Sequence, residues 1–384
     1  MARVVISACN VASYPKGGGH FWVYMQYAQG LRKLGVDVFW LEQIDRVGLA
    51  TPGAQELQCL YERMKQFGLD GKVILYVGHG PSNGQQYEFI NSSSARARQI
   101  FRDSDLLLNF QYNMNQDLLS CFGRTALVDI DPGLLQFWIS AGQLNVQPHD
   151  VYFTTGETVG TPAAKFSDCG LPWFHIRPPI CLDLWPYAFD ANCKSFTTVS
   201  HWHTADWIND NERGLWENTK RVSFLEYLQL PRLTSQELEL ALHLEGAEDD
   251  RRSLERHGWR IRDASDVAGS PEKYQSYIRS SRGEFSCAKP SCMYFENAWI
   301  SDRSICYMAT GKPVVVQHTG PSSYLPNNEG LYRFTTMEEA LVAFDAINSD
   351  YERNCRAARE TAESLFDSGP ILEGLLNAAL KKGL

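Results

Sequence analysis

Three glycines followed by a histidine, Gly17-Gly18-Gly19-His20, stand between an apolar run and an amphipathic one. Consecutive glycines let backbone N–H groups approach a ligand with no Cβ in the way. A helix N-terminus just after them favours an anion or a developing oxyanion. An imidazole there suits a general base. The spacing is neither GxGxxG nor GxxxxGK[ST], so dinucleotide binding and a P-loop are both unsupported. A flexible turn with a solvent histidine is the plainer alternative.

Other stretches carry comparable potential. In Ser301-Asp302-Arg303-Ser304, Ser301 or Asp302 suits a helix N-cap, and Arg303 beside it suits a phosphate by charge and by fork geometry. Gln317-His318-Thr319-Gly320 ends the clearest strand pattern of the chain, where polar side chains line a ligand site. Ser281-Arg282-Gly283-Glu284, with Lys289 nearby, reads as a glycine-bearing loop able to hold a ribose and phosphates. Asp129 and Asp131 straddle another strand end, where a carboxylate takes a proton from an acceptor hydroxyl or simply caps the next helix. Glu157 is a similar case.

The elements that must position these residues alternate. Val4 to Ala8 reads as a buried strand, the stretch after His20 as a helix ending at Gly35, and Val36 to Leu41 as a second strand. That is a βαβ unit with a right-handed crossover and a parallel sheet. Lys72–Val77, closed by Gly78-His79-Gly80, then Leu106–Phe110, Ala126–Ile130 and Val151–Thr154 continue it. Residues 171–190 carry four prolines and read as the linker region. A second alternation follows. Phe196–Ser200 is a strand, Arg221–Phe224 starts another, and Leu238–Leu244 has helix character. Arg260–Asp263 is a strand, Tyr274–Ile278 is helical, 281–289 is a loop, Ser304–Ala309 is a short helix, and Val314–Gln317 is a strand. A helix over Met337–Ile347 and a helical tail from Tyr351 to about Lys382 close the chain. The fold class is thus α/β, with domains over 1–180 and 195–350, a linker over 181–194 and a tail over 351–384.

At 384 residues the chain is long enough for two domains. A net charge of −9 disfavours nucleic acid as the main partner. No apolar segment reaches the ~18 residues needed to cross a bilayer, and no signal peptide is evident, so a cytoplasmic protein is expected. Ten scattered cysteines without zinc spacing read as reduced thiols. The aromatic share of 12%, with 10 Trp, is mostly core; Phe21, Trp22, Tyr24, Phe137 and Trp138 also suit a ring or sugar platform.

Two Rossmann-like halves, a glycine run after the first strand and the segments SRGEFSCAK, WISDRS, ATGKPVVVQHTG and NNEGLYRFTTMEEA together resemble the GT-B glycosyltransferases. The resemblance implies two domains facing each other across a cleft, the first binding an acceptor and the second a nucleoside-diphosphate sugar. The tail is expected to cross back to the first domain. It implies donor phosphates at Asp302, Arg303 and Ser304, and near the loop from Ser200 to His203. It implies contacts of the donor sugar with His318, Thr319 and Gly320. It makes His20, beside Gly18 and Gly19, the base that deprotonates the acceptor in inverting members, with Asp129 or Asp131 as substitutes. Arg282, Glu284 and Lys289 complete the expected donor site.

The chain departs from the retaining pattern of paired glutamates, since Ala298 and Cys306 occupy those positions. Donor identity, acceptor and stereochemistry therefore stay open, as does oligomeric state. No metal or resident cofactor is expected, because no Asp-x-Asp spelling occurs in the second half, and Asp129-Ile130-Asp131 falls on the acceptor side. The expected activity is hexosyl-type transfer from a nucleotide sugar. A sugar-nucleotide epimerase on the same fold and a two-lobed solute-binding protein are the alternatives.

Overall fold

The apolar run Val4-Val5-Ile6 is wholly shielded from solvent because the first strand, β1 (Arg3–Ala8), lies inside a sheet with both faces buried. The computed structural model describes residues 1–44, 53–78, 87–203, 207–210 and 214–381. His79 and Gly80, expected to close the third strand, and Lys382, the expected end of the tail, lie outside the described residues. The chain forms two units. Unit 1 comprises Met1–Gly160, Phe166–Cys181 and Ser368–Leu384; unit 2 comprises Thr161–Lys165 and Leu182–Asp367.

In unit 1, β1 is followed by α1 (Gly18–Lys33), β2 (Asp37–Gln43), α2 (Ala54–Gln66), β3 (Val73–Gly78) and β4 (Tyr87–Phe89). Then come α3 (Ser94–Arg102), β5 (Leu106–Asn109), α4 (Gln116–Leu119), β6 (Thr125–Asp129), α5 (Leu134–Ser140), β7 (Val151–Thr154) and β8 (Trp173–His175). The sheet order is β4-β3-β2-β1-β5-β6-β7-β8, parallel throughout except for β4 against β3. The order reverses at β1, whose Val4 pairs with Val38 of β2 on one side and Leu106 of β5 on the other. The loops leaving β1 and β5 therefore turn to opposite faces and open a crevice at their carboxyl ends.

Unit 2 begins with β9 (Ser195–His201), an antiparallel pair β10 (Trp207–Asp210) and β11 (Gly214–Glu217), α6 (Lys220–Glu226), β12 (Glu237–His243) and α7 (Glu248–Arg256). It continues with β13 (Arg260–Asp263), α8 (Ala264–Ala268), α9 (Pro271–Arg279), β14 (Gly283–Ser286), α10 (Pro290–Phe295) and α11 (Asp302–Ala309). β15 (Val314–Gln317), β16 (Leu331–Phe334), α12 (Met337–Ser349) and α13 (Tyr351–Phe366) complete it. Its six strands run parallel in the order β13-β12-β9-β14-β15-β16, so here the reversal falls between β9 and β14. A core of Phe196, Trp202, Phe224, Phe285, Phe334 and Phe344 packs one face of this sheet.

Several expectations are corrected. Leu238–Leu244 is not a helix but the strand β12, whose leucines at 238, 240 and 242 recur every second residue and all enter the core. Arg221–Phe224 lies in the helix α6 rather than a strand. The stretch 281–289 is not a loop: Gly283 to Ser286 form β14, a fully buried strand between β9 and β15. Trp173–His175, inside the proline-rich stretch, is the edge strand β8. The tail is two helices broken at Asp367. α13 belongs to unit 2, while the last helix, α14 (Ser368–Leu380), belongs to unit 1 and packs on α1. Gly30 of α1 leaves the room that Ser368 and Leu372 of α14 fill.

Gly283 shows why β14 tolerates a glycine. A Cβ there would collide with the Phe196 ring and the carbonyl oxygen of Pro313, so the strand fits only without one. Gly283→Ala is expected to destabilise the fold by roughly 1–3 kcal/mol, the usual cost of overpacking. A urea midpoint unchanged from that of the parent chain would contradict this account.

Candidate active site

In unit 1 the crevice beyond β1 and β5 is built from buried anchors outward. Trp40 and Glu42 lie on β2. Glu42 is fully buried and accepts from the backbone N–H of Ala12 at 2.6 Å and from the Trp40 indole at 2.9 Å, which ties down the loop after β1. Burial pushes its carboxyl up to about 7, against those two hydrogen bonds. The glycine run is not a loop. Gly17 is the N-cap, Gly18 and Gly19 open α1, and His20 is its third residue. A side chain at Gly17 would strike the Tyr14 ring. The His20 Nε2–H donates to the carbonyl oxygen of Cys9 at 2.7 Å, and Tyr24 meets the ring edge-on at 5.3 Å between centroids. With Nε2 protonated, the neutral ring carries its lone pair on Nδ1.

The two aspartates part company. Asp129 is fully buried at the end of β6, where Gln136 and Thr154 each donate to Oδ2 at 2.8 Å and the N–H of Asp131 donates to Oδ1 at 3.0 Å. Burial, with a smaller contribution from Asp131, pushes its carboxyl up to about 7. Asp129 thus shapes the turn rather than meeting a ligand. Asp131 sits partly exposed, and the Tyr112 hydroxyl, itself accepting from Ile130 N–H at 3.1 Å, donates to Asp131 Oδ2 at 3.2 Å. A cavity of about 640 Å³ brings His20 and Asp131 together with Tyr24, Phe110, Asn113 and Trp138. Phe21 and Trp22 face the core instead, against Phe67. Glu157 lies in the turn after β7 and is not among the cavity's lining residues.

In unit 2 the reversal between β9 and β14 is bridged by Arg303. Its Nε donates to Glu284 Oε1 at 2.5 Å, one terminal nitrogen to Ser286 Oγ at 2.5 Å, and the other to the Val199 carbonyl at 3.0 Å. Burial opposes the charge of Arg303, but Glu284 more than offsets it and holds the guanidinium above the ordinary arginine range. Much of the Arg303 fork is therefore committed to the fold, and Glu284 is its buried counter-ion. Arg303 follows Asp302 at the start of α11, where the Ser301 hydroxyl caps the Arg303 N–H and Ser304 is buried.

Ser200 stands near the carboxyl end of β9, Lys289 caps α10, and His318 to Gly320 follow β15. The Thr319 hydroxyl donates to Trp299 O at 2.6 Å, and Arg333 donates to Gly320 O at 2.5 Å. Burial and Arg333 hold the His318 imidazole below its usual range. Arg282 is not brought to this group. It lies at the opposite end of β14, stacked over Tyr351 at 3.8 Å and donating to Asn348 and to Cys193 O. One residue missed by sequence reasoning is Lys220, the first residue of α6. Burial of its ammonium and repulsion by Arg303, against attraction to Glu284, bring it down to about 7. A lysine at a helix start beside an arginine was the available signal. Among the described residues, no group of three or more His, Cys, Asp or Glu is arranged to hold a metal ion, and no helix is long and apolar enough to cross a membrane.

No protein-family model matches the chain, and no curated protein matches it in sequence. Solved structures do match over nearly its whole length. An alpha-glucosyltransferase in complex with UDP is 13% identical with a TM-score of 0.61, over 99% of this chain and 100% of that one. HepE of Anabaena, in complex with UDP-glucose, is 11% identical with a TM-score of 0.59, over 98% and 99%. Sucrose-phosphate synthase of Thermosynechococcus elongatus is 12% identical with a TM-score of 0.54, over 99% of each chain.

The Asp129 carboxyl yields a pH dependence. Its folded pKa lies above the unfolded one, so the native state holds the proton more tightly. The stability this contributes is complete below about pH 4 and is lost as pH rises through 7. Urea unfolding at a series of pH values is expected to show the parent chain losing stability across that window. Asp129→Asn should flatten the loss by roughly 1–3 kcal/mol. An equally steep profile in the variant would sink the assignment.

Proposed function

We propose that this chain, whose fold is that of the GT-B glycosyltransferases, moves a sugar from a nucleoside diphosphate to an acceptor hydroxyl. The observation that carries the reading is the pairing of two unlike strand-order reversals. One, in unit 2, carries Lys220, Arg303 and the capped start of α11; the other, in unit 1, carries His20 and Asp131 in one cavity. The structural neighbours solved with UDP or UDP-glucose support it and make UDP the first nucleotide to test.

The leaving diphosphate gains negative charge as the glycosidic bond breaks, so cations and helix N–H groups there lower the barrier. Lys220 and the first N–H groups of α11 serve that need, with Lys289 and Ser200 at neighbouring strand ends. Arg303 acts by holding β9 and β14 together and by depressing Lys220, so that a diphosphate restores the full charge of the lysine. His318, Thr319 and Gly320 take the sugar. His20 accepts the acceptor proton at Nδ1, and the imidazolium then formed keeps its Nε2–H bond to Cys9 O, now charge-assisted. Asp131 is the second candidate base.

UDP binding should take up a proton and weaken as pH climbs above 7, because the bound diphosphate raises the lysine from its depressed value. Lys220→Ala should weaken UDP by about 1–3 kcal/mol and remove that pH dependence, as read by calorimetry. Unchanged affinity would remove Lys220 from the site. Turnover, followed as UDP release from UDP-sugars with and without acceptors, should fall ~10²–10⁴-fold in His20→Ala. Near-normal turnover in that variant, with collapse in Asp131→Asn, gives the base role to Asp131. Interconversion of the UDP-sugar with no acceptor present would replace transfer by epimerisation.

A further inference from the structure

We infer that the unit 1 cavity accepts an uncharged saccharide and rejects phosphorylated or acidic acceptors, an inference that rests on the transfer reading for the role of the cavity but not for its chemistry. At about 640 Å³ the cavity falls within the range of small-ligand sites, roughly 300–1,000 Å³. Among the described residues, neither lysine nor arginine lines it. Its ionisable lining comprises Cys9, His20, Tyr24, Tyr112 and Asp131. The hydroxyls of Tyr24 and Tyr112 are held well above the ordinary tyrosine range by burial, so both rings stay neutral. That leaves Asp131 as the fixed charge, and it is negative. A phosphate or carboxylate within ~4 Å of it would be repelled, and a partly buried site screens that repulsion less than bulk water does. The partial positive end of α1, equivalent to ~0.5 charge, does not offset a dianion. The same argument turns away a nucleic-acid backbone.

The neutral lining is suited to sugar rings. Trp138 lines the cavity partly exposed, and its indole N–H has no hydrogen-bond partner among the described residues. Asn113 is exposed beside it, and its side-chain amide is likewise without a partner. An aromatic face for the C–H side of a pyranose and an open amide for its hydroxyls is the pairing a saccharide needs. Behind them, Phe110 and Tyr24 are locked edge-to-face at 5.4 Å and form a rigid apolar wall.

The test is a fluorescence titration of the full chain with maltose and cellobiose, alongside glucuronic acid and glucose 6-phosphate. The neutral disaccharides are expected to quench tryptophan emission. Trp138→Ala should weaken their binding by about 3- to 10-fold and Trp138→Tyr should restore it. Asp131→Asn should narrow the gap between neutral and anionic sugars. Anionic sugars binding as well as neutral ones to the parent chain, no saccharide binding at all, or an affinity indifferent to Trp138→Ala would each overturn the inference. The two readings fail separately. Saccharide binding without any UDP release from UDP-sugars removes the transfer reading alone. UDP release stimulated only by anionic acceptors removes this inference alone.

Discussion

The two large sheets of this chain each reverse their strand order once, and the polar groups described above gather at those two points. A parallel sheet with helices on both faces has no room for a ligand along most of its edge, because successive loops pack against one another. Where the strand order reverses, adjacent loops diverge and leave carboxyl-end backbone uncovered. In unit 1 the reversal at β1 and β5 leaves room that His20, Asp131 and Trp138 line. In unit 2 the reversal at β9 and β14 is spanned by one guanidinium with three protein acceptors. The remaining polar geometry depends on these strand ends staying in register.

Holding such an opening in place takes buried polar groups, and the two units do it differently. Unit 1 uses carboxyls without a cation. Glu42 and Asp129 each accept from backbone N–H, indole, amide or hydroxyl donors, but burial outweighs those bonds and pushes each toward neutrality. Unit 2 uses a true ion pair, Arg303 with Glu284, whose removal on one side would leave a buried charge alone. A base needs its surroundings free of fixed positive charge, whereas a site for a leaving diphosphate needs cations close by. The choice of anchor in each unit suits the chemistry proposed for it.

Much of the fold is legible in the sequence because the strands are short apolar runs closed by turn residues, as at Val4–Ala8 and Val314–Gln317. The misreadings have physical causes. β14 reads as a loop because it carries Gly283, Glu284 and Ser286, yet the glycine is there for Phe196 and the two polar residues are there for Arg303. β12 mixes leucine with good helix formers, and its alternation of period two was outweighed by composition. The site is less legible. The types at His20, Asp131 and His318 are visible in the sequence, but nothing local tells Asp129 from Asp131. Their separation comes from Gln136, Thr154 and Tyr112, all brought in by the fold. Lys220 draws its character from burial and then from Arg303, more than sixty residues away, against the attraction of Glu284.

The placement of α14 bears on how the molecule is made. Unit 2 is nearly continuous in the chain, whereas unit 1 lacks the helix that covers Gly30 of α1 until residues 368–380 have been synthesised. On a ribosome, therefore, the second unit encoded has all its parts first. The first unit must wait, with one apolar helix face open, for residues 368–380 to emerge. The units are thus completed in the reverse of their order along the chain, and the emergence of α14 becomes the event that lets unit 1 close.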